Sequence, residues 1–250
     1  MDRLISCRAT LVINPLIKVL MRASFAIFYS KDLDHYQEMS NLEKIILRCY
    51  KVSKRNLEGK KRMAKPHTWA LWNDGEVHEK EAKVLRKRSA EVPVPFDEAA
   101  RKDIKALTES FLARDDALGL AAPQIGISKR IVVFKNRNFD EKTGIKKRED
   151  YDILINPRLT QVGGEEETMS EGCLSCPDVS VEVKRATEIK VRAVDENGHK
   201  INKRYTGFLA RIVQHELDHL DGRLIIDYGG TIYFPKEKEL FFNRLFQKQT

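Results

Sequence analysis

Cysteine is scarce, with only Cys7, Cys49, Cys173 and Cys176 in 250 residues. So few in a chain this long do not make a disulfide framework, which points to a reducing compartment. Cys173-Leu-Ser-Cys176 has C-x-x-C spacing, yet no second such pair follows. Pro177 and alternating strand-like residues come next where a redox motif would open a helix, which argues against a thioredoxin-like role. No run of eighteen residues is free of charge, so an ordinary membrane span is excluded. Internal repeats and low-complexity tracts are lacking too. No RNA-binding motif accompanies the basic excess of +8, and lysines are strewn among glutamates. The excess therefore reads as a solvated face, compatible with transient ribosome contact but not with specific nucleic-acid recognition. What is present, 42% hydrophobic and 33% charged residues, is ample for one globular domain plus an appendage.

The appendage is expected at residues 1–78 and the domain at 79–250. Residues 1–31 carry Arg3, Arg8, Lys18, Arg22 and Lys31 with Asp2 as the only acid, a composition that resembles an organelle transit peptide. The alternative is a start placed too far upstream, with Met21, Met39 or Met63 as the true beginning. Localisation is accordingly expected to be cytoplasmic, or an organelle if residues 1–31 are a transit peptide. Leu42, Ile45, Ile46 and Cys49 have helical spacing, and the basic run from Lys54 to Arg62 reads as a solvated linker.

Signals sharpen after Lys83. Asp97 is a good helix cap, and Ala100, Ile104, Leu107 and Phe111 mark one face of a helix reaching about Arg114. Ile131 to Phe134 is an apolar strand, and residues 136–150 form a polar excursion. Ile153 to Ile155 runs into Asn156-Pro157. Val179, Val181 and Val183 alternate as in a half-buried strand, as do Ile189, Val191 and Ala193, followed by a hairpin turn at Asn197-Gly198. This pattern predicts an α+β domain with antiparallel β-sheets packed around a central helix.

That helix carries Gln214-His215-Glu216-Leu217-Asp218-His219-Leu220-Asp221-Gly222. Phe208, Leu209, Ile212, Val213 and Leu217 give it an apolar face, with Thr206 as cap and Gly222 as stop. His215 and His219, four apart, project from one helical face at the separation a single divalent metal needs, with Glu216 beside them as a base that is not a ligand. A catalytic metal normally takes three protein ligands. Two candidates offer the third: Cys173 as a thiolate, next to Gly172, and Glu239, twenty residues beyond His219 as in thermolysin-type peptidases. Lys236 to Phe242 reads as the start of a surface helix with Leu240 and Phe241 on its apolar side, which would turn Glu239 to solvent.

Three blocks in this order, Gly119-Leu-Ala-Ala-Pro-Gln124, Glu171-Gly-Cys-Leu-Ser175 and Gln214 to Gly222, resemble peptide deformylases over residues 83–228. The resemblance implies removal of the formyl group from the N-terminal formyl-methionine of new polypeptides. It further implies one divalent metal ion, Fe(II) with Zn(II) as a substitute, held by Cys173, His215 and His219. Glu216 would be the general acid/base, and Gln124 with the backbone N–H of Leu174 would bind the oxyanion. Gly119 would contact the peptide through its main chain, while Leu118, Met169, Phe208 and Ile212 would line the pocket for the methionine side chain. Ala117 and Ser170 depart from the family's usual glycine and acid, which bears on substrate fit. The rival readings are a zinc endopeptidase using Glu239 and an inactive peptide- or ribosome-binding relative.

Overall fold

Two helices sandwich an antiparallel sheet in the computed structural model, which describes residues 67–137 and 147–247. The transit-like start, the stretch from Leu42 to Cys49, the basic linker and the middle of the 136–150 excursion lie outside those residues. A two-stranded hairpin, β1 (Trp72–Asn73) and β2 (Glu76–Val77), leads into α1 (Glu79–Leu85) and α2 (Glu98–Leu112). Then come β3 (Gly119–Ala121), β4 (Ile131–Lys135), β5 (Tyr151–Cys173), β6 (Cys176–Val194) and β7 (Lys200–Thr206). The chain continues through α3 (Gly207–Leu220), β8 (Ile232–Tyr233) and α4 (Glu239–Gln247). The main sheet runs β3-β4-β5-β6-β7 with every neighbouring pair antiparallel, and β8 pairs the first part of β6.

All five residues of β4 are buried, because both faces of the sheet are covered there. On one side Ile104, Leu107 and Phe111 of α2 pack on Ile131, Val133, Ile153 and Ile155. On the other, Ala210, Val213, Leu217 and Leu220 of α3 pack on Val132, Phe134 and Leu154. Each such fully buried large side chain contributes about 1.5–3 kcal/mol. The predicted helix at Asp97 forms as expected: Asp97 accepts a hydrogen bond from the Ala100 N–H at 2.6 Å, and the predicted face is the buried one.

Several expectations are corrected. β5 and β6 are each one long strand, of 23 and 19 residues, running through Asn156-Pro157 and Gly163-Gly164, where the sequence marked only short stretches at Ile153–Ile155, Val179–Val183 and Ile189–Ala193. Bulges between Ile155 and Arg158 and between Gly163 and Glu166 absorb those residues without ending the ladder. Asn156 takes φ +52°, and its side-chain amide bonds both backbone groups of Val92 at 2.8 Å. Thr206 occupies the cap position of α3 but its side chain makes no capping bond; the chain enters the helix through Gly207 at φ +55°. The expected stop at Gly222 does stand just past α3, at φ +75°. In α4 the apolar side is Phe241, Phe242, Leu245 and Phe246, while Leu240 is 84% exposed. The reason is an aromatic cluster: Phe242 is fully buried, 5.7 Å from the Trp72 ring and 5.0 Å from Phe234.

Packing also runs across the boundary expected between residues 78 and 79. Leu71 and Trp72 are buried in one cluster with Leu85, Val181, Leu224 and Phe242. The Trp69 N–H donates to the Gln124 carbonyl at 2.8 Å, and the Leu71 N–H to the Ser175 carbonyl at 2.9 Å.

Candidate active site

α3 lies with its apolar side on the sheet, so its remaining face presents His215, Glu216 and His219 toward the tight turn between β5 and β6. The two imidazoles sit edge to face with centroids 5.1 Å apart, the consequence of i, i+4 spacing. Cys173 ends β5 at that turn, and its Sγ lies 3.3 Å from His219 Nε2. The Ser175 N–H approaches the same sulfur at 3.4 Å. One donor atom each from Cys173, His215 and His219 falls within 4.8 Å of the others. Glu239 is exposed at the start of α4 and outside this cluster.

Charge around His215 is organised by Glu171. His215 Nδ1 lies 3.1 Å from Glu171 Oε2, which leaves Nε2 for a cation. Glu171 in turn accepts two bonds from Arg185, at 2.6 and 2.8 Å, and one from Arg211 at 2.6 Å. Arg185 reaches on to Asp218 at 2.8 Å and Tyr228 at 3.0 Å. Burial alone would push the Glu171 carboxyl up, but the hydrogen bonds from Arg185 and His215 overcome it and bring it down to about 2. His215 is likewise pushed down by burial and pulled further up by its bonds to Cys173 and Glu171, so it ends well above its ordinary range. The Cys173 thiol is held well below its ordinary range by a hydrogen bond from Cys176, against burial, with the charge of His219 assisting. A lowered thiol supplies the thiolate that a metal cation takes as ligand, whereas His215 would have to release its proton on binding one.

Glu216 is different. Its Oε2 is buried with no hydrogen-bond partner among the described residues, and burial raises its carboxyl to about 7 despite the pull of His215 and His219. Its side chain lies directly against Gly119: a Cβ there would sit 2.3 Å from Oε1. Gln124 is buried; its Oε1 accepts the Ala121 N–H at 2.8 Å and its Nε2 donates to Ser175 Oγ at 3.2 Å.

These groups border one open cleft of about 1050 Å³. Cys173, His215, Glu216, Gln124, Leu174 and Gly119 line it, as do Leu118, Phe208 and Ile212 from the expected side-chain pocket. Met169 does not; it is 36% exposed on a solvent-facing stretch of β5, paired with Val183. His219 is buried behind the cleft wall. Ala117 is buried and is not among the residues with positive φ, so its extra methyl carries no backbone strain, and Ser170 lines the cleft. Sequence reasoning gave no role to Arg185, Arg211, Asp218 or Ser175. Asp218 and Ser175 sat inside the quoted blocks, whereas the two arginines had no local signal at all.

The comparisons with known proteins agree with one another. The family model described as Polypeptide deformylase matches residues 76–232, which include all three blocks and exclude Glu239. The peptide deformylase of Desulforudis audaxviator is 38% identical over 154 residues, 62% of this chain and 92% of that protein. That of Thermotoga maritima is 40% identical over 144 residues, covering 58% and 80% respectively. Among solved structures, a Met-Ala-Ser-bound class I type b peptide deformylase from Acinetobacter baumannii matches with a TM-score of 0.52 at 32% identity, covering 58% of this chain and 92% of that one. A peptide deformylase from Synechococcus elongatus in complex with actinonin matches with a TM-score of 0.54 at 32% identity, covering 76% and 89%. With the match spanning more than half of its length and every block in place, this chain belongs to the peptide deformylase family.

Proposed function

We propose that Cys173, His215 and His219 hold one divalent metal ion, Fe(II) natively with Zn(II) as a substitute, in a working peptide deformylase. The enzyme removes the formyl group from the N-terminal formyl-methionine of newly made polypeptides and releases formate. The observation that carries the metal assignment is the convergence of one thiol and two imidazoles within 4.8 Å, beside a buried carboxylate oxygen with no hydrogen-bond partner among the described residues. Soft thiolate and imidazole donors suit iron or zinc. In this reading the antiparallel strands are arranged around the helix that bears the metal motif.

When bound there, the cation supplies Lewis acidity, polarising the formyl carbonyl and lowering the pKa of water from about 15.7 toward 7. Glu216, poised near neutrality by burial, takes the proton of the attacking water and returns it to the departing amine. Gln124 has its oxygen fixed by Ala121 and one amide hydrogen on Ser175. Its other amide hydrogen and the Leu174 N–H meet the developing oxyanion, each worth roughly 3 kcal/mol. Gly119 holds the peptide through its main chain, and Leu118, Phe208 and Ile212 take the methionine side chain. Metal analysis of anaerobically purified full-length protein, with formate release from a formyl-Met peptide measured on the same sample, tests this. Stoichiometric metal with formate release supports it, and turnover in fully metal-free protein would sink it.

The domain limits belong to this proposal. The compact unit that holds the site begins at Met63, and Trp72 is 3% exposed, so the catalytic body starts upstream of Glu79. A chain beginning at Glu79 would lose Trp72 from the aromatic cluster, a loss on the order of 3–5 kcal/mol by analogy with deleting a buried Trp side chain. No helix among the described residues is long and apolar enough to cross a membrane. Cytoplasmic location and transient ribosome contact complete the reading; an organelle replaces the cytoplasm if residues 1–31 are a transit peptide.

A further inference from the structure

We infer that Cys173 and Cys176 are a redox-reversible thiol pair, joined as a disulfide when a hydroperoxide reaches the cleft. Cys173 closes β5 and Cys176 opens β6, with only Leu174 and Ser175 between them; after a register shift between Gly172 and Cys173, the two cysteines are Cα partners across the hairpin. Facing residues of an antiparallel pair have Cα atoms about 4.5–5.5 Å apart. That lies inside the window of about 4.4–6.8 Å that disulfides occupy. Facing side chains also leave a sheet on the same side, and these two thiols share a hydrogen bond.

The two sulfurs differ in access and in task. Both cysteines border the cleft, but Cys173 is only half-buried there, where a small peroxide can meet it, while Cys176 is fully buried and packs with Val179, Leu224 and Phe242. Cys176 is also absent from the donor cluster, and what it meets there is the Cys173 sulfur itself. An apolar position of this kind needs only bulk, and a thiol next to a ligand thiol is a liability unless the pair has a use. As a resolving thiol, Cys176 provides one: it diverts oxidation of Cys173 into a state that reductants reverse.

The step balances. The Cys173 sulfur attacks the peroxide O–O bond, forming a sulfenic acid and releasing the alcohol, or water from hydrogen peroxide. The Cys176 sulfur then attacks the Cys173 sulfur; the S–O bond breaks, the oxygen leaves as water, and the S–S bond forms. Two thiols lose two electrons in all, and the hydroperoxide gains them. The disulfide rests on strand register, whereas its consequence for the metal rests on the ligand set proposed above.

Full-length protein, stripped with a chelator and exposed to equimolar hydrogen peroxide, is mapped by peptide mass and thiol titration. The expected result is loss of two of the four thiols, a peptide carrying both Cys173 and Cys176 that is lighter by two hydrogens, and recovery of both thiols on reduction. The Cys176→Ala variant, stripped in the same way and given two equivalents of hydrogen peroxide, should instead take Cys173 on to a sulfinic acid that dithiothreitol does not reverse. Oxygenated Cys173 beside a free Cys176 in the natural chain would overturn the pair, as would equal reversibility in Cys176→Ala; should that variant fail to fold, the mapping of the natural chain decides alone. Zn(II) uptake by the oxidised protein separates the two readings: disulfide with uptake abolished supports both, and disulfide with uptake intact supports the thiol pair while removing Cys173 from the ligand set.

Discussion

His215 and His219 stand one turn apart on the same helix, yet their surroundings are opposite in kind. His215 Nδ1 meets Glu171, which is gripped by Arg185 and Arg211. His219 Nδ1 is buried with no partner among the described residues, and so is Oε2 of the neighbouring Glu216. One side of the turn is a saturated ion network whose members are nearly all buried and mutually bonded; the other is a set of polar atoms the protein leaves unsatisfied. Buried unsatisfied groups are costly and persist where something else is to be met. In the mechanism proposed above, the saturated half fixes geometry and the unsatisfied half does the chemistry.

Removing the thiolate should have the largest effect of all. Cys173→Ala is expected to lose the metal and with it all formate release, while Glu239→Ala keeps both near the level of the natural chain. The check is metal content and turnover on the same samples, and the reverse pattern would shift the centre to α4. Next comes the unsatisfied half: Glu216→Gln should retain the metal yet drop kcat by about 10² to 10⁴-fold, since the amide fills the space but accepts no proton. Normal turnover in that variant would mean that the proton goes elsewhere.

On the saturated half the effects are smaller. Glu171→Gln should weaken metal affinity by about 10–100-fold, the usual result of losing the group that orients a ligand imidazole, read by competition with a chelator. The same carboxylate predicts an acid limit. Its folded pKa of about 2 lies below the ordinary 4.5, so its contribution to stability is complete above pH 4.5 and is lost as pH falls through about 2. That shift corresponds to about 3 kcal/mol. Denaturation midpoints of the natural chain should therefore fall between pH 4.5 and 2 more steeply than those of Glu171→Gln, and parallel curves would show the network to be electrostatically inert. Smallest of all, Met169→Ala should leave KM unchanged, whereas Phe208→Ala, which removes a cleft wall, should raise it.

The same contrast explains what was legible in the sequence. α2, β4 and the metal helix announced themselves because a repeating apolar face and a short motif are local signals, and Asp97 caps where its spacing says it should. The three candidate ligands and the candidate base stood out for the same reason. The lengths of β5 and β6 were not, since proline, paired glycines and charges look like ends when bulges accommodate them. Nor was the salt-bridged network, because Arg185 and Arg211 become partners of Glu171 only when β6 and α3 are folded beside β5. Leu240 and Met169 were misplaced in a similar way: an apolar residue near a motif carries no mark of which way its strand or helix faces.

Gly119 has a consequence for anyone altering this enzyme. Glu216, the proposed general base, occupies the volume that any side chain at 119 would need, so the residue acts as a mould for it from the opposite wall. Two positions far apart in the chain are thus a single unit of inheritance. A library that randomises residue 119 to change substrate preference should be enriched in glycine among active clones, because any other residue must displace Glu216, and selection there will report on the catalyst as well as on the peptide.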